Sequence, residues 1–270
     1  MASLSSSSSW GANITHQKQF KIGLCQLSVS TEKETNLASA RSSIELAVKQ
    51  GAALVVLPEM WNCPYSSDCF AKFAEDFNDK NGCPSFSMLS ELATCHNITI
   101  LHLFDIQSVA PGELSFKESD SFTAGDKPTI VDTDVCRIGI GICHDIRFPE
   151  LAMLYQARGV ELICYPGAFN VNTGSMLWEL EQRARAVDNQ ICVATCSPSR
   201  NSSGSYEIWG HSTLVGPAGE VIAKLGHEEA VLVAEIDLST IYYQRQSIPL
   251  HKHKQSNIYG LIDLKEEETL

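Results

Sequence analysis

The sequence predicts a single α/β domain in which helices cover parallel β-strands. Short apolar runs typical of buried strands alternate with segments of helical periodicity along most of the chain. No low-complexity stretch divides these segments. The 270 residues are 44% hydrophobic and 19% charged, which supplies enough apolar side chains for a large core.

The first β-α-β unit is predicted near the amino terminus. Residues 20–27 form an apolar run typical of a buried strand, and residues 34–50 carry apolar side chains at helical spacing. A second strand over residues 53–57 is ended by Pro58. Because functional groups lie beyond the carboxyl ends of parallel strands, Glu59 is a candidate site residue.

A second β-α-β unit is predicted around Cys143. Residues 137–143 alternate isoleucines on one face with Gly139, Gly141 and Cys143 on the other. We expect the two glycines to leave room beside the cysteine. A helix begins at Pro149, since proline is favoured in a first helical turn, and a strand follows it.

The remaining elements complete the α/β domain. The last three strands, over residues 212–215, 221–224 and 231–236, are expected to form a meander. The other predicted elements are helices over residues 85–95 and 178–187 and strands over residues 98–104, 160–165 and 191–195.

The ends of the chain differ from this domain. Residues 1–19 are rich in serine and lack acidic residues, which predicts a disordered tail, and residues 240–270 are expected to form a C-terminal extension of a domain spanning residues 20–239. We expect a cytoplasmic protein. A plastid or mitochondrial location is the alternative, although the tail lacks the arginines usual in transit peptides.

Composition excludes several classes of function. The 20 basic residues against 32 acidic ones give a net charge of -12, so nucleic acid is not an expected partner. The longest apolar run, Ala52 to Leu57, is far below the roughly 20 residues that cross a bilayer, so no membrane partner is expected. The ten cysteines contain no CxxC pair and are expected to be reduced thiols, with no metal and no cofactor.

Cys143 is the candidate nucleophile. It ends a strand and is followed by a polar turn that enters a helix, where backbone amides favour a thiolate. Taken alone, any one of ten cysteines is more often an inert packed thiol. A redox thiol is a further alternative, whereas a cysteine-histidine protease is disfavoured because His144 is adjacent to Cys143 in the chain.

Several motifs in register resemble the nitrilase, or carbon-nitrogen hydrolase, superfamily. They are VVLPEMW (55–61), GIGICHDIRFPELA (139–152), YPGAFN (165–170) and RARAVDN (183–189). The segments HLFD, ATCSPSR and WGHSTLVGPAGEV resemble its omega-amidase branch in particular.

The resemblance implies a four-layer α-β-β-α sandwich that dimerises and hydrolyses amides through a cysteine thioester, without a cofactor. The implied substrate is the terminal amide of a 2-oxo dicarboxylic acid monoamide, such as 2-oxoglutaramate or 2-oxosuccinamate. By position, Glu59 would be the general base and Cys143 the nucleophile. Glu118 falls where the family has a second glutamate, although a solvated loop residue is the alternative for it.

The resemblance also implies a binding end for the substrate. Arg147 could pair bidentately with the free carboxylate, with Phe169 and Thr173 lining the pocket. A structural ion pair of Arg147 with Glu150 or Asp145 is the alternative. The backbone amide of His144, where the branch usually has tyrosine, could serve the oxyanion.

The sequence departs from the family at the catalytic lysine. Its position, two residues before HLFD, is occupied by Ile100, and roughly thirty residues are missing there, enough for two or three strands. We therefore expect a sandwich without these strands, with impaired activity and impaired folding. The alternative is a catalytically silent protein that acts by binding or by heterodimerising with an intact paralogue.

Overall fold

The computed structural model describes residues 19–75, 82–102, 125, 127–200 and 206–264. Residues 1–18 of the Ser-rich tail lie outside the described residues, and residue 19 begins the first strand. Glu118 also lies outside the described residues. No described helix is long and apolar enough to span a bilayer.

The described elements alternate along the chain as the α/β prediction requires. The strands are β1 (Gln19–Gln26), β2 (Ala52–Val56), β3 (Thr99–Leu101), β4 (Thr129–Asp132), β5 (Arg137–Ile140), β6 (Leu162–Pro166), β7 (Cys192–Cys196), β8 (Thr213–Val215), β9 (Val221–Lys224) and β10 (Ala230–Asp237). The α-helices are α1 (Lys33–Lys49), α2 (Ser67–Phe73), α3 (Pro84–His96), α4 (Pro149–Ala157), α5 (Val171–Thr173), α6 (Glu179–Asn189), α7 (Ser239–Ser247) and α8 (Leu250–His253).

The strands form two sheets. Sheet A has the order β10-β1-β2-β3, and sheet B has the order β4-β5-β6-β7-β8-β9. Strands β1, β2 and β3 are parallel to one another, as are β5, β6 and β7. Both predicted β-α-β units are therefore confirmed, and the two candidate catalytic residues follow strands of different sheets.

Three apolar cores separate four layers. One core lies between the sheets and combines residues such as Leu24 and Leu54 of sheet A with Ile138 and Leu162 of sheet B. A second core joins sheet A to α1 and α3, and a third joins sheet B to α4 and α6. The predicted four-layer α-β-β-α sandwich is confirmed.

The predicted meander is wrong at its third strand. Strands β8 and β9 pair as expected, but β10 crosses to sheet A and pairs with β1 over eight residues, from Gln19–Asp237 to Gln26–Ala230. This longer partner satisfies more backbone groups than the four-residue β9 could. It also buries Leu232 and Ile236 between the sheets.

The two sheets are unequal in the part of the chain that the structure describes. Sheet A has four strands and ends at β3, whereas sheet B has six. The predicted loss of strands falls at this edge, because β3 contains Ile100. The side chain of Ile100 packs against the apolar core between sheet A and the helices α1 and α3. Ile100 therefore faces the helix layer, and it is not a direct replacement for a catalytic side chain.

Candidate active site

Cys143 begins a sharp turn at the carboxyl end of β5. Its φ of +43° is unusual for a residue with a side chain, and a 3-10 turn follows over Cys143–Arg147. The Asp145 carboxylate accepts a hydrogen bond from the Ile142 amide at 2.8 Å, and the Asp145 amide donates to the Ile142 carbonyl at 2.8 Å. These bonds hold the strained turn, which leaves the Cys143 thiol half-buried.

The glycines near Cys143 act differently from the prediction. A side chain at Gly139 would overlap the Tyr155 ring, and one at Gly141 would overlap the Tyr165 ring. The expectation that they leave room for the cysteine is therefore wrong, because they make room for two tyrosines. Gly167 is the glycine beside the nucleophile, since a Cβ there would lie 3.0 Å from the Cα of Cys143.

Arg185 of α6 braces the same turn from behind. Its Nε donates to the Ile146 carbonyl at 2.8 Å, and its Nη2 donates to the Arg147 carbonyl at 3.0 Å. Arg185 is only 9% exposed. Sequence reasoning noticed the RARAVDN motif but gave this residue no role, because its contacts are with backbone carbonyls far along the chain.

Glu59 lies beyond the carboxyl end of β2 and is 2% exposed. The next residue, Met60, has a φ of +54°, so the chain turns sharply here as it does at Cys143. Asn36 of α1 donates to the Asn62 carbonyl at 3.1 Å, and Asn62 donates to Ser85 at 3.2 Å. The loop that carries Glu59 is thus tied to two helices.

A partly buried ion pair closes this loop. The Lys33 ammonium lies 2.6 Å from the Glu75 carboxylate, whose side chain is 1% exposed. Lys33 also donates to the Phe73 carbonyl at 3.1 Å, and Glu75 accepts from the Ser85 hydroxyl at 2.6 Å. The segment between Glu59 and Glu75 is therefore fastened at both ends.

Tyr206 belongs to the same region, and the sequence did not identify it. Its hydroxyl donates to the Ala168 carbonyl at 3.0 Å, and its ring packs on Tyr65 at a centroid distance of 4.9 Å. Burial raises the pKa of Tyr206, and the negative charges of Cys143 and Glu59 raise it further. The phenol is therefore within electrostatic reach of both groups.

Arg147 forms an ion pair with a residue of α6. Its Nη1 lies 3.1 Å from Glu181 of α6, a partner that the sequence did not predict. Glu181 was missed because it is adjacent only in the fold. The Arg147 guanidinium also lies over the Phe169 ring, 4.6 Å from its centre.

The other predicted binding residues lie in the same region. Phe169 is buried against Trp178 at a centroid distance of 5.0 Å, and Trp178 also approaches Gly167. The Thr173 hydroxyl donates to Asn170 at 3.1 Å at the start of a helix that contains a π-turn over Gly174–Trp178. Such π-turns are frequent at functional sites.

The His144 side chain points outward, which leaves only its backbone amide as a candidate for the oxyanion. The side chain is exposed and its ring lies 5.6 Å from that of Phe148. Among the lysines between Glu59 and Cys143, Lys72 and Lys127 are exposed. The other two, Lys80 and Lys117, lie outside the described residues.

Seven other cysteines are buried, and burial raises the pKa of six of them, which disfavours the reactive thiolate. Burial raises the pKa of Cys25, Cys63 and Cys192 to about 12 each. Burial likewise raises the pKa of the remaining three, Cys136, Cys164 and Cys196. The described residues contain no cluster of three or more histidine, cysteine, aspartate or glutamate side chains that could hold a metal ion.

A surface cavity of about 370 Å³ lies away from these residues. It opens at the amino-terminal end of β1 and β2, whereas Glu59 follows the carboxyl end of β2, so it is not part of the candidate site. Its lining residues are Gln19, Phe20, Lys21, Gly51, Ala53 and Glu235.

Comparisons with known proteins identify the family. The carbon-nitrogen hydrolase family model matches residues 21–101 and 101–246. The chain is 50% identical to an omega-amidase, described as chloroplastic, from Arabidopsis thaliana, over 92% of this chain and 75% of that protein. It is 44% identical to omega-amidase NIT2 of Bos taurus, over 89% of this chain and 96% of that protein.

A solved structure agrees with these matches. Saccharomyces cerevisiae Nit3, a member of branch 10 of the nitrilase superfamily, superposes with a TM-score of 0.79 at 38% identity, covering 91% of this chain and 99% of Nit3.

The comparisons also bear on the missing segment. The two stretches matched by the family model meet at residue 101. The alignment with the Arabidopsis relative runs over 280 positions, yet 92% of 270 residues is about 248, so about 32 positions of the alignment have no residue from this chain.

The family model matches the chain on both sides of residue 101. The chain belongs to the carbon-nitrogen hydrolase family.

Proposed function

We propose that the protein hydrolyses the terminal amide of a dicarboxylic acid monoamide such as 2-oxoglutaramate or 2-oxosuccinamate, releasing ammonia. The observation that carries this proposal is a half-buried thiol on a strained turn beyond a strand of one sheet, together with a buried carboxylate beyond a strand of the facing sheet. The relatives named omega-amidase support the same chemistry.

The proposed reaction has two halves. Glu59 takes the thiol proton of Cys143, and the sulfur attacks the amide carbon to form a C–S bond. Glu59 returns the proton to the nitrogen and the C–N bond breaks. Ammonia departs, and the acyl group remains bound to Cys143 as a thioester. Glu59 then takes a proton from water, whose oxygen attacks the thioester carbon. The C–S bond breaks, and the proton returns to the sulfur.

The substrate's far end would lie at Arg147. The guanidinium stands over Phe169 in the turn that begins with Cys143, so a carboxylate there would hold the amide near the sulfur. The backbone amide of His144 is proposed to donate to the oxyanion, as backbone amides do in other acyl-transfer enzymes.

Activity is expected to be low because the family lysine is missing. A cation near the sulfur would stabilise both the thiolate and the oxyanion, and loss of one such donor costs about 10²- to 10³-fold in rate. Glu118, which lies outside the described residues, is proposed to assist Glu59 as the second glutamate.

The test is ammonia release from 2-oxoglutaramate by the purified protein, with Cys143→Ala as control. We expect slow release that the substitution abolishes. Intact-mass measurement of quenched reactions should show an acyl adduct on Cys143. Equal ammonia release from both proteins would contradict the proposal.

A second candidate is a catalytically silent protein that acts through binding or by heterodimerising with an intact paralogue. It is favoured by the short sheet A and by Ile100, which faces the helices. Binding of 2-oxoglutarate without detectable ammonia release, in a protein that unfolds cooperatively, would favour this function. Ammonia release that depends on Cys143 would exclude it.

We also propose that the protein forms a homodimer through α6 and the π-turn before it. Met176 and Leu180 are 65% and 62% exposed, and Val187 is 40% exposed on the same helical face. An apolar stripe of this kind is typical of an interface. Leu180→Glu should convert the dimer to a monomer in light scattering, whereas a wild-type monomer would contradict the proposal.

The location proposed for the protein is the cytoplasm, with the plastid or mitochondrion as alternatives. The Arabidopsis relative is described as chloroplastic, which favours the plastid among these alternatives. Fluorescence of the full chain carrying a C-terminal fluorescent protein would distinguish the three.

A further inference from the structure

Trp178 lies against the backbone of the nucleophile. It ends the π-turn over Gly174–Trp178 and is 2% exposed, and Cys143 packs on the same apolar core. A Cβ at Gly167 would lie 3.0 Å from the Cα of Cys143 and 3.4 Å from a carbon of the Trp178 ring. The indole and the nucleophile backbone therefore meet at this glycine. Because packed interiors transmit displacements, a shift of the indole would be passed on to Cys143.

The same indole supports the other end of the proposed site. Trp178 meets the Phe169 ring edge-on at a centroid distance of 5.0 Å, and the Arg147 guanidinium lies 4.6 Å from the centre of Phe169. A cation-π contact of this kind favours one position of the guanidinium over the ring. One buried side chain thus contacts the supports of both groups that the proposed reaction must hold at a fixed separation.

Trp178 is itself held by the loop segment before β8. Its Nε1 donates to the His211 carbonyl at 2.7 Å. His211 has a φ of +59°, and its amide donates to the Gly226 carbonyl at 2.9 Å, which fixes the accepting carbonyl. The other end of the π-turn rests on the same segment, because a side chain at Gly174 would overlap the Trp209 ring. A directional bond therefore sets the position of the indole in addition to packing.

We infer that Trp178 is a positioning residue, which acts through Gly167 and Phe169 to fix the separation of the Cys143 sulfur from the Arg147 guanidinium. This inference rests on the proposed function only where it takes Arg147 as the substrate-binding end. A core tryptophan without this role would contribute to stability alone.

The test is the rate at which iodoacetamide alkylates Cys143, followed by mass spectrometry of the peptide that carries it. Trp178→Phe keeps an aromatic ring but removes the N–H donor to His211. The nucleophile turn should loosen and move the sulfur away from the amides that favour its thiolate. We expect alkylation at pH 7 to slow by about tenfold and the pH–rate curve to move to higher pH.

Tyr155→Phe is the matched control. Tyr155 is buried in the same core, its hydroxyl donates to the Ile140 carbonyl, and its ring packs on Gly139. Each substitution removes one buried donor to a backbone carbonyl, so both should lower the urea midpoint of unfolding. Only Trp178→Phe should slow the alkylation of Cys143. Equal alkylation rates in the two variants overturn the inference.

A measurement on the wild type decides even if Trp178→Phe does not fold. Alkylation of Cys143 should shift the assigned indole N–H resonance of Trp178 in nitrogen-15 spectra, because the two residues meet at Gly167. The Cys143→Ala protein treated in the same way should show no such shift, which excludes effects of the other cysteines. An unchanged Trp178 resonance in the alkylated wild type overturns the inference.

The outcomes separate this inference from the proposed amidase activity. Slow alkylation in Trp178→Phe, with no ammonia released by the wild type, sinks the activity and leaves the positioning role intact. If the wild type hydrolyses 2-oxoglutaramate, Trp178→Phe should lower kcat and raise KM, because both ends of the site move, and Tyr155→Phe should change neither. Hydrolysis with the same kcat, KM and alkylation rate in both variants overturns the positioning role and leaves the proposed function standing.

Discussion

Cys143 stands on the six-stranded sheet, in a turn held by Asp145 from within and by Arg185 from the helix layer. Glu59 stands on the four-stranded sheet, at the start of a loop that depends on the ion pair between Lys33 and Glu75. One candidate catalytic residue is therefore held by a full sheet and short local bonds. The other is held by a shorter sheet and a longer loop.

This difference shows what a loss of strands can change and what it leaves intact. Sheet B keeps its parallel strands β5 to β7 and the helices that cover them, so the nucleophile turn can form. Sheet A ends at β3 among the described residues, and β3 contains Ile100, at the position expected for the family lysine. The half that carries Glu59 should therefore limit both rate and stability.

The largest expected effect on rate comes from restoring the segment that is missing from the Glu59 half of the molecule. Inserting after Leu101 a segment of about 30 residues that carries the lysine expected for the family should raise kcat/KM for 2-oxoglutaramate by about 10²- to 10³-fold. The same insertion with alanine in place of the lysine is the matched control. A folded insertion protein with no gain in rate would show that the difference between the halves does not limit catalysis.

A single substitution at Ile100 should not raise the rate. Ile100→Lys would place an ammonium against the apolar core between sheet A and helices α1 and α3. We expect no gain in ammonia release and a loss of roughly 1–3 kcal/mol in the free energy of unfolding. A gain in rate would contradict the orientation of β3.

The next effect tests the brace on the nucleophile turn. Arg185→Met removes two charge-assisted hydrogen bonds, worth about 4 kcal/mol together in the free energy of unfolding. It should also lower kcat more than it raises KM, because the turn that orients Cys143 loosens. Urea unfolding and steady-state kinetics measure both.

A neighbour on the same helix serves as the control for that substitution. Arg183 is 54% exposed in its side chain and donates one hydrogen bond, to the Gly219 carbonyl at 2.8 Å, away from the Cys143 turn, so Arg183→Met should lower stability less and leave kcat unchanged. Equal losses for the two arginines would mean that the brace does not hold the turn.

A smaller effect is expected for the loop that carries Glu59. Lys33→Met leaves the buried Glu75 carboxylate without its ammonium, which should cost about 3 kcal/mol in the free energy of unfolding. The double substitution Lys33→Met with Glu75→Gln should recover part of that loss. Arg41→Met, which breaks an exposed pair with Glu91, should leave the melting temperature nearly unchanged.

Much of the secondary structure could be predicted from the sequence, because it follows from the local spacing of apolar residues. Strands β1, β2 and β6 and helices α1 and α4 follow apolar spacing or proline and glycine boundaries. The positions of Glu59 and Cys143 follow from strand ends. The exchange of β10 into sheet A could not be predicted, because a strand's partner depends on which edge is open in three dimensions.

The contacts that shape the site could not be predicted from the sequence either, because they also depend on the three-dimensional fold. Arg185 bonds carbonyls 38 and 39 residues away, and Glu181 meets Arg147 across 34 residues. Tyr206 approaches Ala168 and Tyr65 from a third loop. Such pairs carry no spacing signal, so only the fold reveals them.

The smallest effect is a pH dependence located in the Glu59 half. Burial lowers the pKa of His102 to about 4, and its ring lies edge-on to Trp61 at 6.2 Å. The unfolded chain binds this proton near pH 6.5, so stability should be complete above that value and should fall as pH drops towards 4. We expect a loss of about 2 kcal/mol by pH 5 from this group.

A variant without the imidazole isolates this contribution from other titrating groups. As pH falls from 7 to 5, the unfolding free energy of the wild type should fall more than that of His102→Asn. Only the wild type gains a proton on unfolding at this position. A difference that does not change with pH would mean that His102 is hydrated. The edge of sheet A would then be open to water, which would sharpen the contrast with the fully covered strands beneath Cys143.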